Sequence, residues 1–567
     1  MILRLGYLSI RKRRITKFLA GAGRTREIQR ELLFSKIRRN AQSAFGQDHS
    51  FSKIQTVADF RRHVPLTEYE YYRDYVERVK RGEVSAMFGP ETKLLMFALT
   101  SGTTDKAKYV PITQEFFDEY RSGWNMWGVQ TYRDHLDLCQ KRSLQLTSDW
   151  RQFYTEGGVP CGNISGLAAE TAPLISRPMF ILPRSLMRIT DSASKQYMAL
   201  RLSLHSRRMG MVLTANPSTL VELARLGDAR RESLIRDLYN GDLASDIELP
   251  QAVRDSLRWR ISRRQRRRAR ELDRIVERTG SLLPRDYWKK MSVAAVWTGG
   301  SAGAYLPRIK EFYGDVAFRD HGLSASEGRM TVPFKDGTSA GILDYVSHYF
   351  EFIPEDEHGQ PDATVLEAHE LEEGQNYFIV LTTSSGFYRY DIQDLVRCVS
   401  MEQTTPVLEF LNKGSYFSSI TGEKLSEFQA VSAVKKGFAD LNLQIETFTL
   451  APSWGDPPGY VLLLEPGVGG THPERLAKRV DAEMKRLNCE YANRLETGRL
   501  RPLSIQQVPR GTWLAFRDQR ISRLGGSLEQ YKHPCLVNDL HFIEKLEHGD
   551  SEAFARSSIE SEFRSDD

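Results

Sequence analysis

The chain is poor in cysteine: Cys139, Cys161, Cys398, Cys489 and Cys535 are all it has in 567 residues, and no two stand in a C-x-x-C spacing. That scatter excludes a disulfide framework and a structural zinc site, and it points to a reducing compartment. Long hydrophobic runs are missing too. Nothing approaches the roughly 20 apolar residues of a membrane span. After a short apolar start the chain turns to Arg11-Lys12-Arg13-Arg14, which is not the order of a secretory signal. Repeats and low-complexity stretches are absent. The net charge of +6 is small for this length and selects no partner by itself. A soluble cytoplasmic protein is expected.

What is present is a globular composition, 40% hydrophobic and 10% aromatic, in a chain too long for one core, so two or more domains are expected. Residues 24 to 45 read as an amphipathic helix with Ile28, Leu32, Ile37 and Ala41 roughly on one face. Thr67 has Glu70 three places on, as in a capping box. The run Leu94 to Leu99 reads as a buried strand, and a helix is expected from Thr113 to about Tyr132. On it Phe116, Phe117, Tyr120, Trp124 and Trp127 line one face, a pattern of core packing or of a ligand wall. Gly210 to Ala215 reads as a strand entering a helix capped at Asn216-Pro217-Ser218-Thr219. From Ser292 onward short apolar runs alternate with glycine or polar turns: Val293 to Trp297, Val316 to Phe318, Gly341 to Ile353 and Tyr377 to Thr383. Strands alternating with helices argue an α/β fold whose ligands bind beyond the carboxyl ends of the strands. Past Gly422 to Ser426 the pattern becomes that of a smaller α+β domain, with helices near 427–440 and 474–488 and strands near 445–450 and 459–465. Eight arginines between Arg258 and Arg270 read as a solvated helical face rather than a nucleic-acid patch, because Glu271, Asp273 and Glu277 follow at once.

Five polar loops stand just after apolar runs. Ser101-Gly102-Thr103-Thr104, with Lys106 and Lys108, offers hydroxyls, backbone N–H groups and cations, a set that suits a polyphosphate. It is not a Walker A loop, since no glycine-lysine-serine/threonine follows at the right spacing, and an ordinary polar turn has the same composition. The others are Thr298-Gly299-Gly300, Ser324 to Glu327, Tyr388 to Asp394, and Lys413-Gly414 with Gly422-Glu423-Lys424. If they converge, Asp394 can accept two ribose hydroxyls, Glu327 can ligate a divalent metal through hard oxygens, and Lys413 and Lys424 can neutralise a phosphate in transfer. Singly, Asp394 could instead pair with Arg389 or Arg397, and Lys424 could be a surface lysine.

In order and spacing these loops resemble the Gretchen Hagen three family, the auxin-responsive acyl acid-amido synthetases within the acyl-adenylate-forming ligases. The resemblance runs from about Arg30 to Leu536. It rests on Thr100-Ser101-Gly102-Thr103-Thr104, Leu323-Ser324-Ala325-Ser326-Glu327 and Tyr388-Arg389-Tyr390-Asp391-Ile392-Gln393-Asp394. Val64-Pro65-Leu66-Thr67, Asn216-Pro217-Ser218-Thr219, Phe350-Glu351-Phe352-Ile353-Pro354 and Gln530-Tyr531-Lys532-His533-Pro534 add to it.

It implies an α/β protein with a large N-terminal adenylate-forming domain, residues 1–424, and a smaller mobile C-terminal α+β domain, residues 425–567. It implies ATP and Mg2+, a carboxylic acid activated as its acyl-adenylate, and transfer to an amine or amino acid. A thiol acceptor (coenzyme A or a carrier protein) and a catalytically weakened binding relative are the alternatives. Carried over, Ser101, Thr103, Thr104 and Lys108 would hold phosphates. Thr298 and Ser326 would line the nucleotide, Glu327 would place magnesium and Asp394 would take the ribose. Lys413 and Lys424 would contact the ribose–phosphate side, and Lys532 would enter when the small domain rotates onto the site. Tyr120, Trp124 and Trp127 are expected to line the acyl pocket and to select an apolar or aromatic acid. Small molecules are the expected partners of a monomer, with no nucleic acid and no membrane. The chain departs from the family pattern at Asp105, Lys106 and Ala107, where further glycines are usual, at Leu323 in place of an adenine-stacking tyrosine, at Gln393 in place of a glycine, and at Lys413 in place of an arginine.

Overall fold

The computed structural model describes residues 2–100, 108–173, 176–413, 417–418, 420–421, 423, 425–444, 447–467, 473–524 and 531–548. Its organising layer is a four-stranded sheet in which Arg142–Gln145, Met209–Leu213, Val293–Ala295 and Ala317–Arg319 run parallel in that order. Met209–Leu213 is buried at every residue, as an apolar run covered on both faces must be. It feeds the helix Pro217–Ala229, where the Asn216 side chain accepts from Ser218 N and the proline occupies the first turn, the two features that start a helix cheaply. One hydrophobic core lies between this sheet and its helices.

A second core sits under a seven-stranded sheet. There Leu366–Glu367, Tyr349–Pro354, Asn376–Thr382, Tyr390–Glu402, Thr405–Lys413, Gly341–Leu343 and Thr331–Val332 are all antiparallel to their neighbours. The C-terminal part packs the helices Glu427–Asp440 and Pro473–Leu487 on Phe448–Ser453, Gly459–Leu464 and Arg501–Gln507, around a third core.

Several expectations are corrected. The residues before Thr113 do not form a loop leading straight into a helix. Lys108–Thr113 is a strand, paired antiparallel with Leu94–Thr100, and it is the edge of its sheet. Pro111 fits there because an edge strand can forgo a ladder donor. The helix then runs Gln114–Asp134, with Thr113 as its cap accepting from Phe116 N. Thr67 is not a cap. The helix Tyr69–Lys80 starts from Glu68 with no side-chain cap. Thr67 instead bridges to the Tyr388–Asp391 segment, its N–H donating to Arg389 O and its carbonyl accepting from Asp391 N. Gly341 to Ile353 is two strands, broken where Ser347 donates to Asp344.

The helix expected over 24–45 ends at Arg39, and its buried face is Thr25, Gln29, Leu33, Lys36 and Ile37. Polar groups win that face because each has a partner. The Gln29 amide donates to Tyr345 O and His348 O and accepts from Phe350 N. Lys36 Nζ lies 2.6 Å from Glu119 Oε1 and donates to Ser384 Oγ.

The arginine-rich stretch spans the helices Gln251–Ser262 and Arg266–Thr279. Arg268 is its one buried arginine, donating to Leu204 O and Tyr287 O and pairing with Glu271. The other seven lie at the surface.

Candidate active site

The carboxyl ends of the parallel strands open into one large cavity of about 900 Å³. Ser326, Glu327, Asp394, Tyr120, Trp124, Trp127 and Lys532, drawn from four separate segments, all line it. Glu327 and Asp394 are each only 6% exposed. Arg389 pairs with buried Glu351 at 3.0 Å, and Arg397 donates to Asn376. In the sheet Asp394 stands directly opposite Lys413.

The turn that presents Asp394 is a bulge, with a register shift between Ile379 and Val380. Gln393 on it has φ +59° and Arg389 has φ +48°. The glycine that family members usually carry at this place would adopt that left-handed backbone without strain, whereas a glutamine resists it. Here Gln393 is held by its N–H on Asp391 Oδ1 and its amide on Glu68.

Lys532 Nζ sits 4.0 Å from the centre of the Trp297 ring. The small domain thus already presents its lysine to the cavity in this conformation.

Two expected residues turn elsewhere. Thr298 is absent from the cavity wall, because its N–H and its hydroxyl both donate to Asp320 Oδ2 at 2.5 Å. The wall at that loop is Trp297. Lys108 lies over the Tyr69 ring, 5.4 Å from its centre, and does not line the cavity. Ser101, Thr103, Thr104 and Lys424 lie outside the described residues, as does the side chain of Lys413.

Residues that motif reading missed brace the site from behind. Asp320 also accepts from Gly322 N at 2.6 Å, so one carboxylate ties the 298 loop to the 322–327 loop. Its burial pushes its pKa up to about 6, against the hydrogen bonds that hold it ionised. His321 follows, pushed down to about 3 by burial and then by the Arg329 charge. Its ring is edge-on to both Trp124 and Trp127. Arg329 is fully buried, donates to His321 O, and lies 4.7 Å from the Trp124 ring. Asp344 opposite it is raised to about 6 by burial. Further back, Lys36 and His348 hold Glu119 down at about 2 although burial acts the other way. No local signal reveals this brace, whose members come from four separate stretches of the chain. Among the described residues no group of three or more histidine, cysteine, aspartate or glutamate side chains could hold a metal alone.

The two-domain fold around this cleft is similar to that of ligases of known structure. A 2-hydroxyisobutyryl-CoA ligase in its postadenylation state superposes with a TM-score of 0.50 over 93% of this chain and 90% of its own, at 10% identity. The likeness is far closer to the GH3.15 acyl acid amido synthetase in complex with 2,4-DB, with a TM-score of 0.83, 95% and 96% covered and 20% identity.

The family models agree in sequence. The GH3 family N-terminal, central and C-terminal domains match residues 14–318, 341–413 and 428–541. The chain belongs to the GH3 family. Among curated relatives, the jasmonoyl--L-amino acid synthetase GH3.5 of Oryza sativa subsp. japonica is 24% identical, with 90% of this chain and 92% of that protein covered. The indole-3-acetic acid-amido synthetase GH3.3 of Arabidopsis thaliana is 23% identical, with 92% and 91% covered.

Proposed function

We propose that this chain is an ATP-dependent acid-amido synthetase, which adenylates a carboxylic acid and passes the acyl group to an amine or amino acid. The observation that carries the reading is the convergence of Glu327, Asp394 and Lys532 on one cavity, in a fold and family of amido synthetases. In the first half-reaction a carboxylate oxygen attacks the α-phosphorus of ATP and the bond to the β-phosphate oxygen breaks, releasing pyrophosphate. In the second, the amine nitrogen attacks the acyl carbon. The bond to the adenylate oxygen breaks, AMP leaves with the electron pair, and the amine loses a proton.

The chain's residues divide this work. Asp394, aimed into the cavity from its bulge, accepts the ribose hydroxyls. Leu323, which lines the same wall, gives the adenine an apolar surface. Lys532 places an ammonium beside the reacting phosphate, where preorganised charge acts most strongly. The phosphates fall to Ser101, Thr103 and Thr104, and Lys413 and Lys424 complete the ribose–phosphate side. A lone buried carboxylate is a poor metal site by itself but suits magnesium, which keeps waters and takes phosphate oxygens as its other ligands. Glu327 would hold it, and the ion would supply charge neutralisation on the phosphates.

Tyr120, Trp124 and Trp127 favour an apolar or aromatic acid. The mobile unit is residues 425–567 on a body of residues 1–424, and the protein works as a cytoplasmic monomer on small molecules, without nucleic acid or membrane. Cys139, Cys161, Cys398 and Cys535 are buried and in no disulfide, which supports a reducing location. No described helix is long and apolar enough to cross a membrane.

A hydroxylamine trap with ATP, Mg2+ and a panel of acids tests activation. Separate additions of amino acids and coenzyme A then identify the acceptor. Thioester in place of amide would assign the thiol reading, and the absence of any acid-dependent pyrophosphate would assign a binding role.

A further inference from the structure

The long helix Gln114–Asp134 carries two interior glycines, each costing about 1 kcal/mol against alanine. Gly123 has a packing reason. A Cβ there would come within 2.5 Å of Arg329 Cδ, 2.8 Å of its Nε and 3.1 Å of Asp344 Oδ2. Gly128 has none: a Cβ there would meet no atom within 4 Å. Yet Gly128 lines the cavity, with Trp124 one turn before it and Tyr132 one turn after it on the same wall. At 100° per residue, Trp124, Gly128, Arg121, Tyr132 and Asn125 form one stripe with Gly128 near its middle. The glycine leaves the middle of the cavity wall bare.

The direction of that wall follows from its contacts. Trp127 Nε1 donates to Asp320 O at 2.6 Å, just past the carboxyl end of Ala317–Arg319. Tyr132 Oη lies 3.2 Å from Ser143 Oγ, near the amino end of Arg142–Gln145. The helix therefore runs antiparallel to the parallel strands. The cavity lining therefore extends along it from Trp124 to Tyr132, away from the carboxyl ends of the strands, as a branch of the cavity would. The opposite wall agrees: Leu213 and Met211 line the same face of one strand, and the second lies about 7 Å deeper. Cys139 and Met187 line the cavity too. From Trp124 to Tyr132 is eight residue steps, roughly 12 Å of helix. An extended carbon chain advances about 1.2 Å per bond, as the backbone does over its three bonds per residue. The branch thus takes about ten carbons. Beside Tyr132 its deep lining holds Met187, Met211 and Cys139, and the methionines adapt to a flexible chain, while the indoles of Trp124 and Trp127 stand at its mouth.

Resting on the proposed synthetase reading, we propose that the acid is a medium-chain aliphatic carboxylic acid of about ten carbons, and that Gly128 is the residue that sets its length. The carboxylate stays at the mouth by Trp124, and the tail passes the bare helix at Gly128 toward Met211 and Cys139.

The test is a series of straight-chain acids from butanoate to tetradecanoate, read by ATP-dependent pyrophosphate release in the full chain and in Gly128→Leu. Thermal shift with decanoate in the absence of ATP is a second readout. Leucine is the better helix former, so the variant keeps the helix. Met187→Phe narrows the same branch from the facing segment should Gly128→Leu fail to fold. The wild type should rise in kcat/KM with length to an optimum near decanoate and should melt higher with decanoate bound. Gly128→Leu should lose about 200-fold on decanoate, some four methylenes' worth of burial, keep most of its rate on butanoate, and lose the thermal shift.

A wild-type profile that is flat or falls beyond hexanoate overturns the length assignment while leaving the synthetase reading standing, as does a variant profile identical to wild type. Decanoate binding that Gly128→Leu abolishes, with no pyrophosphate from any acid, supports the branch and overturns the synthetase reading.

Discussion

Asp320 ties together two loops of the site, and replacing it with asparagine isolates what that costs. Between its ordinary value of 3.8 and its folded value of about 6 the native protein holds a proton that the unfolded chain has lost. Its contribution to stability therefore falls as pH rises through that window. From pH 5 to pH 7 a single such group removes about 1.3 kcal/mol. Asparagine does not titrate, so Asp320→Asn escapes this loss. It has a cost of its own. Asp320 serves three donors through two oxygens, and an amide has one. With the amide oxygen on Thr298, its NH2 faces Gly322 N–H and leaves that donor orphaned, a cost of about 1–3 kcal/mol with little pH dependence. The variant should thus be about 1–3 kcal/mol less stable than wild type at pH 5 and about 1.3 kcal/mol closer to it at pH 7. Buried His321 and His533, both pushed down to about 3, drive the wild-type pH curve the opposite way, and they cancel in the difference between the two proteins. Urea unfolding followed by tryptophan fluorescence at both pH values gives that difference. A gap between variant and wild type that does not change from pH 5 to pH 7 would refute the assignment of a raised pKa to Asp320.

Lys36→Met removes the ammonium from Glu119, leaving it only Ser384 and His348, and should cost about 3–5 kcal/mol at pH 7. The loss should shrink at pH 4, where the carboxyl can protonate, and thermal melts at the two pH values check the ordering. Gln393→Gly removes a left-handed strain of roughly 1–2 kcal/mol for the loss of one exposed hydrogen bond, so its urea midpoint should rise; a lower midpoint contradicts the account. Gly123→Ala should destabilise, because overpacking against buried Arg329 at about 1–3 kcal/mol outweighs the roughly 1 kcal/mol of helix propensity gained. Lys532→Met should lower acid-dependent pyrophosphate release by about 100-fold or more without moving the melting temperature of the large domain.

The parallel layer was legible because its strands are continuous apolar runs and its helix start at Asn216-Pro217 uses purely local chemistry. The hairpin before Thr113 was not, since Pro111 argues against a strand until its place at a sheet edge is known. Thr67 shows the same limit from the other side: its capping pattern is local and genuine, but Arg389 and Tyr388, over 300 residues away, compete for its bonds and win. Among site residues, Glu327 and Asp394 stand out because acids at the ends of apolar runs are unusual. Trp297, Asp320, His321 and Arg329 do not, since an aromatic or a charge after a strand acquires meaning only from the partner that the fold brings to it. The burial of Lys36 is equally silent in sequence, for its partner Glu119 lies 83 residues on.

The central claim is met most directly by incubating the protein with ATP, Mg2+, decanoate and a mixture of amino acids, and measuring AMP, pyrophosphate and amide by mass spectrometry. The account predicts all three in equal amounts when acid and amine are both present, with pyrophosphate requiring the acid and amide requiring the acid and the amine acceptor together. AMP and pyrophosphate without amide, or no acid-dependent AMP with any acid of the series, would contradict it.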